Sequence, residues 1–130
     1  MDRALELDVR RRANDACEYC HMRQEFYTQR FPIDHIIARQ HGGPEIPDNL
    51  ALCCPSCNRY KGPNIAGIDP VTERMAPLFN PRRDRWDVHF RWQGSQLVSP
   101  TAIGRATIAV LNVNHHKYVA VRESLIAEGV

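Results

Sequence analysis

The hydrophobic residues of this chain follow their clearest pattern near its centre. β-Branched and aromatic residues around positions 31–36 predict a strand, and the short apolar run 49–53 predicts a second. A Gly-Gly-Pro loop separates them. Pro55 suits the first position of a helix, which we expect to continue to Lys61, before the Gly62-Pro63 stop. The centre of the chain therefore predicts strand, loop, strand and helix.

The flanking segments have weaker patterns. Leu5, Val9 and Ala13 recur at fourfold spacing among charged residues and predict a helix over residues 3–16. Downstream, Trp86, Val88, Phe90 and Trp92 alternate with polar residues, which is typical of a half-buried strand. We further expect irregular chain at 63–84, a turn at 93–95, a returning strand at 96–99, and helices at about 101–112 and 114–128.

Both C-terminal helices are expected to be amphipathic. The first would bury Ile103, Thr107, Val110 and Leu111, and the second Tyr118, Val119, Leu125 and Ile126. Repeats and low-complexity tracts are absent, so 130 residues predict a single domain over 1–130. Its core would span about 10–62, with a C-terminal extension at about 63–130 packing on it.

Composition restricts the class of protein more than it identifies one. The formal net charge of +2 is too small to indicate a nucleic-acid-binding protein by itself. Some arginines of the chain are clustered, however, with three at positions 10–12 and three more among residues 82–85. No apolar run approaches the length of a membrane span, and the N-terminus is charged. We therefore expect no membrane association and a cytoplasmic location.

Five cysteines include two Cys-x-x-Cys pairs, which are typical of a metal site in a reducing compartment. Four thiolates form a closed tetrahedral shell for Zn²⁺, so this site would be structural. Cys53-x₃-Cys57 is an alternative second pair, but Cys54-x₂-Cys57 repeats the spacing of the first pair. The predicted ligands are Cys17, Cys20, Cys54 and Cys57.

Between and beyond these pairs lie residues that suit phosphodiester hydrolysis. An imidazole such as His35 can take a proton from water, and the oxygens of Asp34 and Asn58 are hard ligands for a divalent cation such as Mg²⁺. Neighbours on a regular strand point to opposite faces, so the strand must bend or end at His35 for both to serve one site. Arg59, Lys61, Arg82 and Arg83 are candidate contacts to nucleic-acid phosphates.

In their order and spacing, these motifs resemble the HNH endonucleases, in the four-cysteine, zinc-containing branch of the ββα-metal nucleases. The resemblance is carried by Cys17-x₂-Cys20, Asp34-His35, Asn49-Leu50 and Cys54-x₂-Cys57-Asn58-x₃-Lys61. It implies an α+β fold with a ββα-metal core, to which the pattern adds a C-terminal β-hairpin and two helices. It also implies that Asn58 replaces the last His of the family name, and that Asn49 is a structural loop clamp.

The function expected from these residues is a metal-dependent endonuclease that hydrolyses DNA. His35 would be the general base, Asp34 and Asn58 would hold the catalytic cation, and zinc would be structural. The alternative is a catalytically silent zinc module that binds nucleic acid or a protein. His41 is interpreted as a loop histidine in preference to a phosphate contact. Oligomeric state stays open, although a homodimer would more easily cut both strands.

Overall fold

The structure is a computed structural model that describes residues 1–130. It contains five α-helices and three two-stranded antiparallel sheets, so the predicted α+β class is confirmed. The chain divides into two compact units. The first comprises Met1–Ile65 with Asn80–Asp84, and the second Ala66–Phe79 with Arg85–Val130. The expectation of one domain over the whole chain stays a prediction.

The first unit contains the predicted strand–loop–strand–helix. Its elements are α1 (Arg3–Arg12), β1 (Ile33–His35), β2 (Leu50–Leu52) and α2 (Pro55–Lys61). β1 and β2 are antiparallel, with Asp34 opposite Ala51 and His35 opposite Leu50. All three β2 residues are fully buried, which explains their unbroken apolar character. Short 3₁₀ turns occupy the connections.

The helix α1 ends earlier than its apolar spacing predicts. Asn14 and Asp15 both have a φ of 54°, in the left-handed region that terminates a right-handed helix. This turn leads the chain directly to Cys17. The start of α2 agrees with the sequence, because Pro55 takes its first position and the Cys54 side chain accepts a hydrogen bond from the Cys57 N–H.

The second unit begins with a hairpin that the sequence analysis missed. β3 (Ala66–Ile68) pairs with β4 (Met75–Pro77), where irregular chain was expected. Each strand has three residues, which is too short to show an alternating pattern. The turn depends on Asp69, whose carboxylate accepts hydrogen bonds from the backbone N–H groups of Val71 and Thr72.

The strand expected from Trp86 to Trp92 is wrong in its first half. Residues Trp86–His89 form a short helix, α3, and only Arg91–Gln93 form a strand, β5. The Phe90 N–H donates to the Trp86 carbonyl at 2.9 Å, and the two rings pack with centroids 5.2 Å apart. Aromatic residues four apart therefore stabilise a helical turn here. The returning strand β6 (Gln96–Val98) follows the predicted turn.

Both C-terminal helices are present, as α4 (Ala102–Leu111) and α5 (His116–Ala127). The predicted inner face of α4 is confirmed for Thr107 and Leu111, which are buried. The predicted inner face of α5 is wrong for Ile126, which is 56% exposed. Its other members, Tyr118, Val119 and Leu125, are half-buried, and the buried residue of this helix is Arg122. Arg122 donates to the carbonyls of Ser95 and Val113, and α5 thus packs through polar contacts that apolar spacing does not predict.

Candidate functional site: a four-cysteine cluster beside a polar cleft

The four cysteines of the two Cys-x-x-Cys pairs converge in the first unit. Their sulfur atoms all lie within 4.8 Å of one another, and all four residues are buried. The sulfurs of Cys20 and Cys54 are 3.7 Å apart. A tetrahedral zinc site with Zn–S distances of about 2.3 Å requires sulfurs about 3.8 Å apart, so the donor set fits Zn²⁺.

Backbone geometry suits these sulfurs to metal binding. The Cys20 N–H points at the Cys17 sulfur at 3.5 Å, and the Cys57 N–H points at the Cys54 sulfur at 3.4 Å. Such N–H groups stabilise thiolate charge. Cys53 lies outside this group, and burial raises the pKa of its thiol. The cluster therefore uses Cys54, and the first pair is joined to the start of α2.

A buried network extends from this cluster to Asp34. Tyr19, between the first two cysteines, donates a hydrogen bond to Asp34 Oδ2 at 2.8 Å. The Lys61 ammonium lies 3.2 Å from Oδ1 and 3.1 Å from Oδ2. It also donates to the carbonyls of His35 and Ile36. Burial raises the pKa of Asp34, and the Lys61 ammonium opposes this change by stabilising the carboxylate.

Asp34, His35 and Asn58 border the same cleft, although they are distant in sequence. The cleft has a volume of about 400 Å³. The remaining residues that line it are Ile33, Ala38, Arg39, Gln40, Gly62 and Pro63. β1 supplies Asp34 and His35, and it ends at His35. The structure thus places these three residues around one space.

Asn49 holds the loop that follows His35. Its Oδ1 accepts from the Ile37 N–H at 2.9 Å, while its Nδ2 donates to the carbonyls of Ile37 and Pro44 at 3.0 and 2.8 Å. Gly43 is required beside this amide, because an added Cβ would lie 1.7 Å from the Ile37 carbonyl oxygen. These contacts are those of a loop clamp, and they fix the backbone on the C-terminal side of His35.

The candidate phosphate contacts occupy different environments. Arg59 and Arg83 are exposed. Lys61 is only 1% exposed and is committed to Asp34, while Arg82 is half-buried and pairs with Glu18. His41 is an exposed loop residue. As placed, Arg59 and Arg83 can meet an external phosphate, whereas Lys61 and Arg82 bind carboxylates of the protein.

Three residues near the cleft were missed by sequence reasoning: Tyr19, Arg39 and Glu45. Arg39 lines the cleft, and Glu45 lies 3.4 Å from His35 Nε2. Tyr19 is 15 positions from its partner Asp34, so no local pattern could reveal the contact. Glu45 directly follows Gly-Gly-Pro, and this position is the one hint in the sequence that it lies near the cleft.

One comparison with known proteins gives a match in the region of this site. Residues 17–64 match the family model for HNH endonucleases, a range that includes the four clustered cysteines and Asp34, His35 and Asn58. No curated protein and no solved structure matches the chain significantly. None of the helices has the length and apolar character needed to cross a membrane. The match over residues 17–64 is thus to an HNH endonuclease domain, and the four-cysteine cluster fits the zinc-containing branch of that family.

Proposed function

We propose that the protein is a metal-dependent endonuclease that hydrolyses DNA phosphodiester bonds. The observation that carries this proposal is the meeting of His35, Asp34 and Asn58 in one cleft. A hydrolase of this kind needs a base for the attacking water and oxygen ligands for a cation that neutralises phosphate charge. A simple binding surface needs neither group.

Asp34 and Asn58 would hold the catalytic cation, either Mg²⁺ or another divalent ion. An ionised carboxylate has about four lone-pair positions. Tyr19 and Lys61 use part of this capacity, and Asp34 would use the remainder for the cation. When bound, such a cation would polarise the phosphate and stabilise the leaving 3′ oxygen.

His35 would take the proton from the attacking water. Its ring is positioned by the end of β1 and by the Asn49 clamp on the following loop. General-base catalysis requires the ring nitrogen within hydrogen-bond reach of the water, so this support of the backbone matters directly. Asn49 would act only by fixing the position of His35.

DNA binding is assigned first to Arg59 and Arg83, which are exposed. Arg39 adds a cation at the cleft itself. Contact of Lys61 or Arg82 with DNA would require each to leave its carboxylate partner. So few contacts predict weak sequence preference. A homodimer would supply two sites for a double-strand cut, and a cytoplasmic location would keep the zinc thiolates reduced.

A second candidate function is a silent zinc module that binds nucleic acid or a protein. One observation favours it: Tyr19 and Lys61 already contact both oxygens of Asp34, whose side chain is 5% exposed. In such a module, Asp34 would serve only as the buried counterion of Lys61. The two functions differ in whether the cleft performs chemistry.

Plasmid nicking distinguishes these functions. Zinc-loaded wild type should nick supercoiled DNA when Mg²⁺ or Mn²⁺ is added. His35→Ala and Asn58→Ala should each lower the rate at least about a hundredfold while remaining folded. His41→Ala, which alters an exposed histidine of the same loop region, is the matched control. DNA binding without cleavage would favour the silent module, and full activity of His35→Ala would remove this residue from the mechanism.

A further inference from the structure

Glu45 lies in the loop after Gly42, Gly43 and Pro44, and its carboxylate reaches back toward His35. Oε1 is 3.4 Å from His35 Nε2. This ring nitrogen has almost no contact with solvent and makes no hydrogen bond. A buried N–H or nitrogen without a partner is unfavourable, so nearby groups are expected to satisfy it. The nearest acidic group is Glu45.

Arg39 competes with His35 for the same oxygen. Its guanidinium donates to Glu45 Oε1 at 2.7 Å, while its own side chain is 65% exposed and lines the cleft. The carboxylate is thus shared between an arginine that faces solvent and an imidazole nitrogen that is shielded from it. A movement of about 0.5 Å would bring Oε1 to ordinary hydrogen-bond distance from Nε2.

We propose that Glu45 is a positioning residue for His35. Its carboxylate accepts a hydrogen bond from Nε2–H and so fixes the tautomer in which Nδ1 carries the lone pair. The hydrogen bond made by one ring nitrogen determines which nitrogen is left as a base. Because Nε2 is buried against Glu45, Nδ1 is the atom that can accept a proton from water. The effect on catalysis rests on the proposed nuclease function.

Arg39 makes this arrangement responsive to substrate. A DNA phosphate in the cleft would draw the Arg39 guanidinium away from Glu45, because the phosphate and the Glu45 carboxylate are anions that compete for the same hydrogen-bond donor. The released carboxylate would then strengthen the contact that it already makes with Nε2. Phosphate binding and the orientation of the base are coupled in this way through a single glutamate oxygen.

The tautomer of His35 provides a test that does not depend on activity. Long-range proton–nitrogen spectra of nitrogen-labelled, zinc-loaded protein distinguish the two neutral tautomers of a histidine ring. The His35 signals are those that disappear in His35→Ala. Wild type should carry the proton on Nε2. Glu45→Ala should give a mixture, while Glu45→Gln, which keeps an oxygen acceptor, should retain the wild-type tautomer.

The matched control is Glu25→Ala. Glu25 also pairs with an arginine, Arg23, in the same unit, but both side chains are more than half exposed and lie outside the cleft. This variant should leave the His35 signals unchanged. Arg39→Ala should also preserve the Nε2 tautomer, because it removes the competitor and leaves the acceptor. An unchanged tautomer in Glu45→Ala would overturn the proposal.

Kinetics supply the second measurement. Glu45→Ala should lower kcat about tenfold to a hundredfold with little change in KM, and Glu45→Gln should restore most of the loss. Arg39→Ala should act mainly on KM. A rise in KM alone for Glu45→Ala would assign this residue to DNA binding and overturn the positioning role. An inactive wild type would refute the nuclease function only, and the tautomer spectra would still decide the role of Glu45.

Discussion

The hydroxyl group of Tyr19 donates a 2.8 Å hydrogen bond to the carboxylate of Asp34, and this contact joins the cysteine cluster to the cleft. Tyr19 lies between Cys17 and Cys20 in the chain, so its position depends on the cysteine cluster. Asp34 in turn depends on Tyr19 for one of its partners. Burial raises the pKa of Tyr19 well above its usual value, which keeps the hydroxyl protonated as a donor.

Tyr19→Phe removes the hydroxyl that links the cysteine cluster to Asp34, and the protein should stay folded. The loss of a buried hydrogen bond to a charged acceptor should lower the free energy of unfolding by about 1.5–3 kcal/mol. Zinc content should stay unchanged, and the Mg²⁺ concentration needed for half-maximal cleavage should change because Asp34 loses a fixed partner. Urea denaturation and a Mg²⁺ titration of cleavage measure the two effects.

Tyr27→Phe is the control for that substitution. Tyr27 packs edge-on against Phe31 in the same unit, with ring centroids 5.1 Å apart. It should affect neither the Mg²⁺ dependence nor the zinc content. Equal behaviour of the two variants would show that the Tyr19 hydroxyl does not act through Asp34.

Cys17→Ser should remove the structural zinc and unfold the first unit. Metal-binding free energies of about 10–16 kcal/mol are typical of small zinc domains, and much of that is folding free energy. Metal analysis after dialysis and thermal melts provide the measurements. Cys53→Ala removes a thiol that is equally buried but lies outside the cluster, so it should keep its zinc. Retention of zinc by Cys17→Ser would contradict the assignment of the ligands.

Lys61→Met should be strongly destabilising, because it leaves Asp34 buried without a counterion. Removing one partner of a buried ion pair costs about 3–5 kcal/mol. The double variant Asp34→Asn with Lys61→Met should recover part of this loss, since the uncompensated charge is gone. Denaturant titrations of both single variants and the double variant measure the coupling. A strictly additive result would mean that the pair contributes nothing beyond its separate contacts.

Asp69 should make the second unit sensitive to acid. Its carboxylate accepts two hydrogen bonds from Arg105, at 2.8 and 2.9 Å, and Arg105 holds the pKa of Asp69 well below its usual value. A lowered folded-state pKa contributes stability above the unfolded pKa of about 3.9 and loses it as the pH falls further. Asp69→Asn should therefore melt below wild type at neutral pH, and the difference should shrink below about pH 4.

The control for the acid effect is Asp87→Asn. Asp87 also pairs with an arginine, Arg85, but their side chains are 72% and 79% exposed. Exposed pairs contribute little, so this variant should melt like wild type at every pH. A constant difference between Asp69→Asn and wild type down to low pH would show that the charge of Asp69 is not the cause.

Features that depend on neighbouring residues could be predicted from the sequence, whereas features that depend on a contact or a pairing partner could not. Pro55 and the Gly62-Pro63 stop defined α2 from the sequence, because helix termini depend on neighbouring residues. The alternation from Trp86 to Trp92 wrongly predicted a strand over its first half, since the helical contact between Trp86 and Phe90 competes with a strand at these positions. The hairpin β3–β4 was missed because three-residue strands carry too little periodicity.

By itself, the sequence determined the chemistry that this protein has available: four thiolates in two matched pairs, and an imidazole with two oxygen donors in a fixed order. Spacing along the chain is enough for this, because metal-binding turns and helix ends are short-range features. Only the tertiary structure decided which partners these groups meet. Tyr19 reaches Asp34, Lys61 becomes its buried counterion, and Glu45 lies against His35. The positions of these partners depend on packing between segments far apart in the chain, which no local pattern encodes.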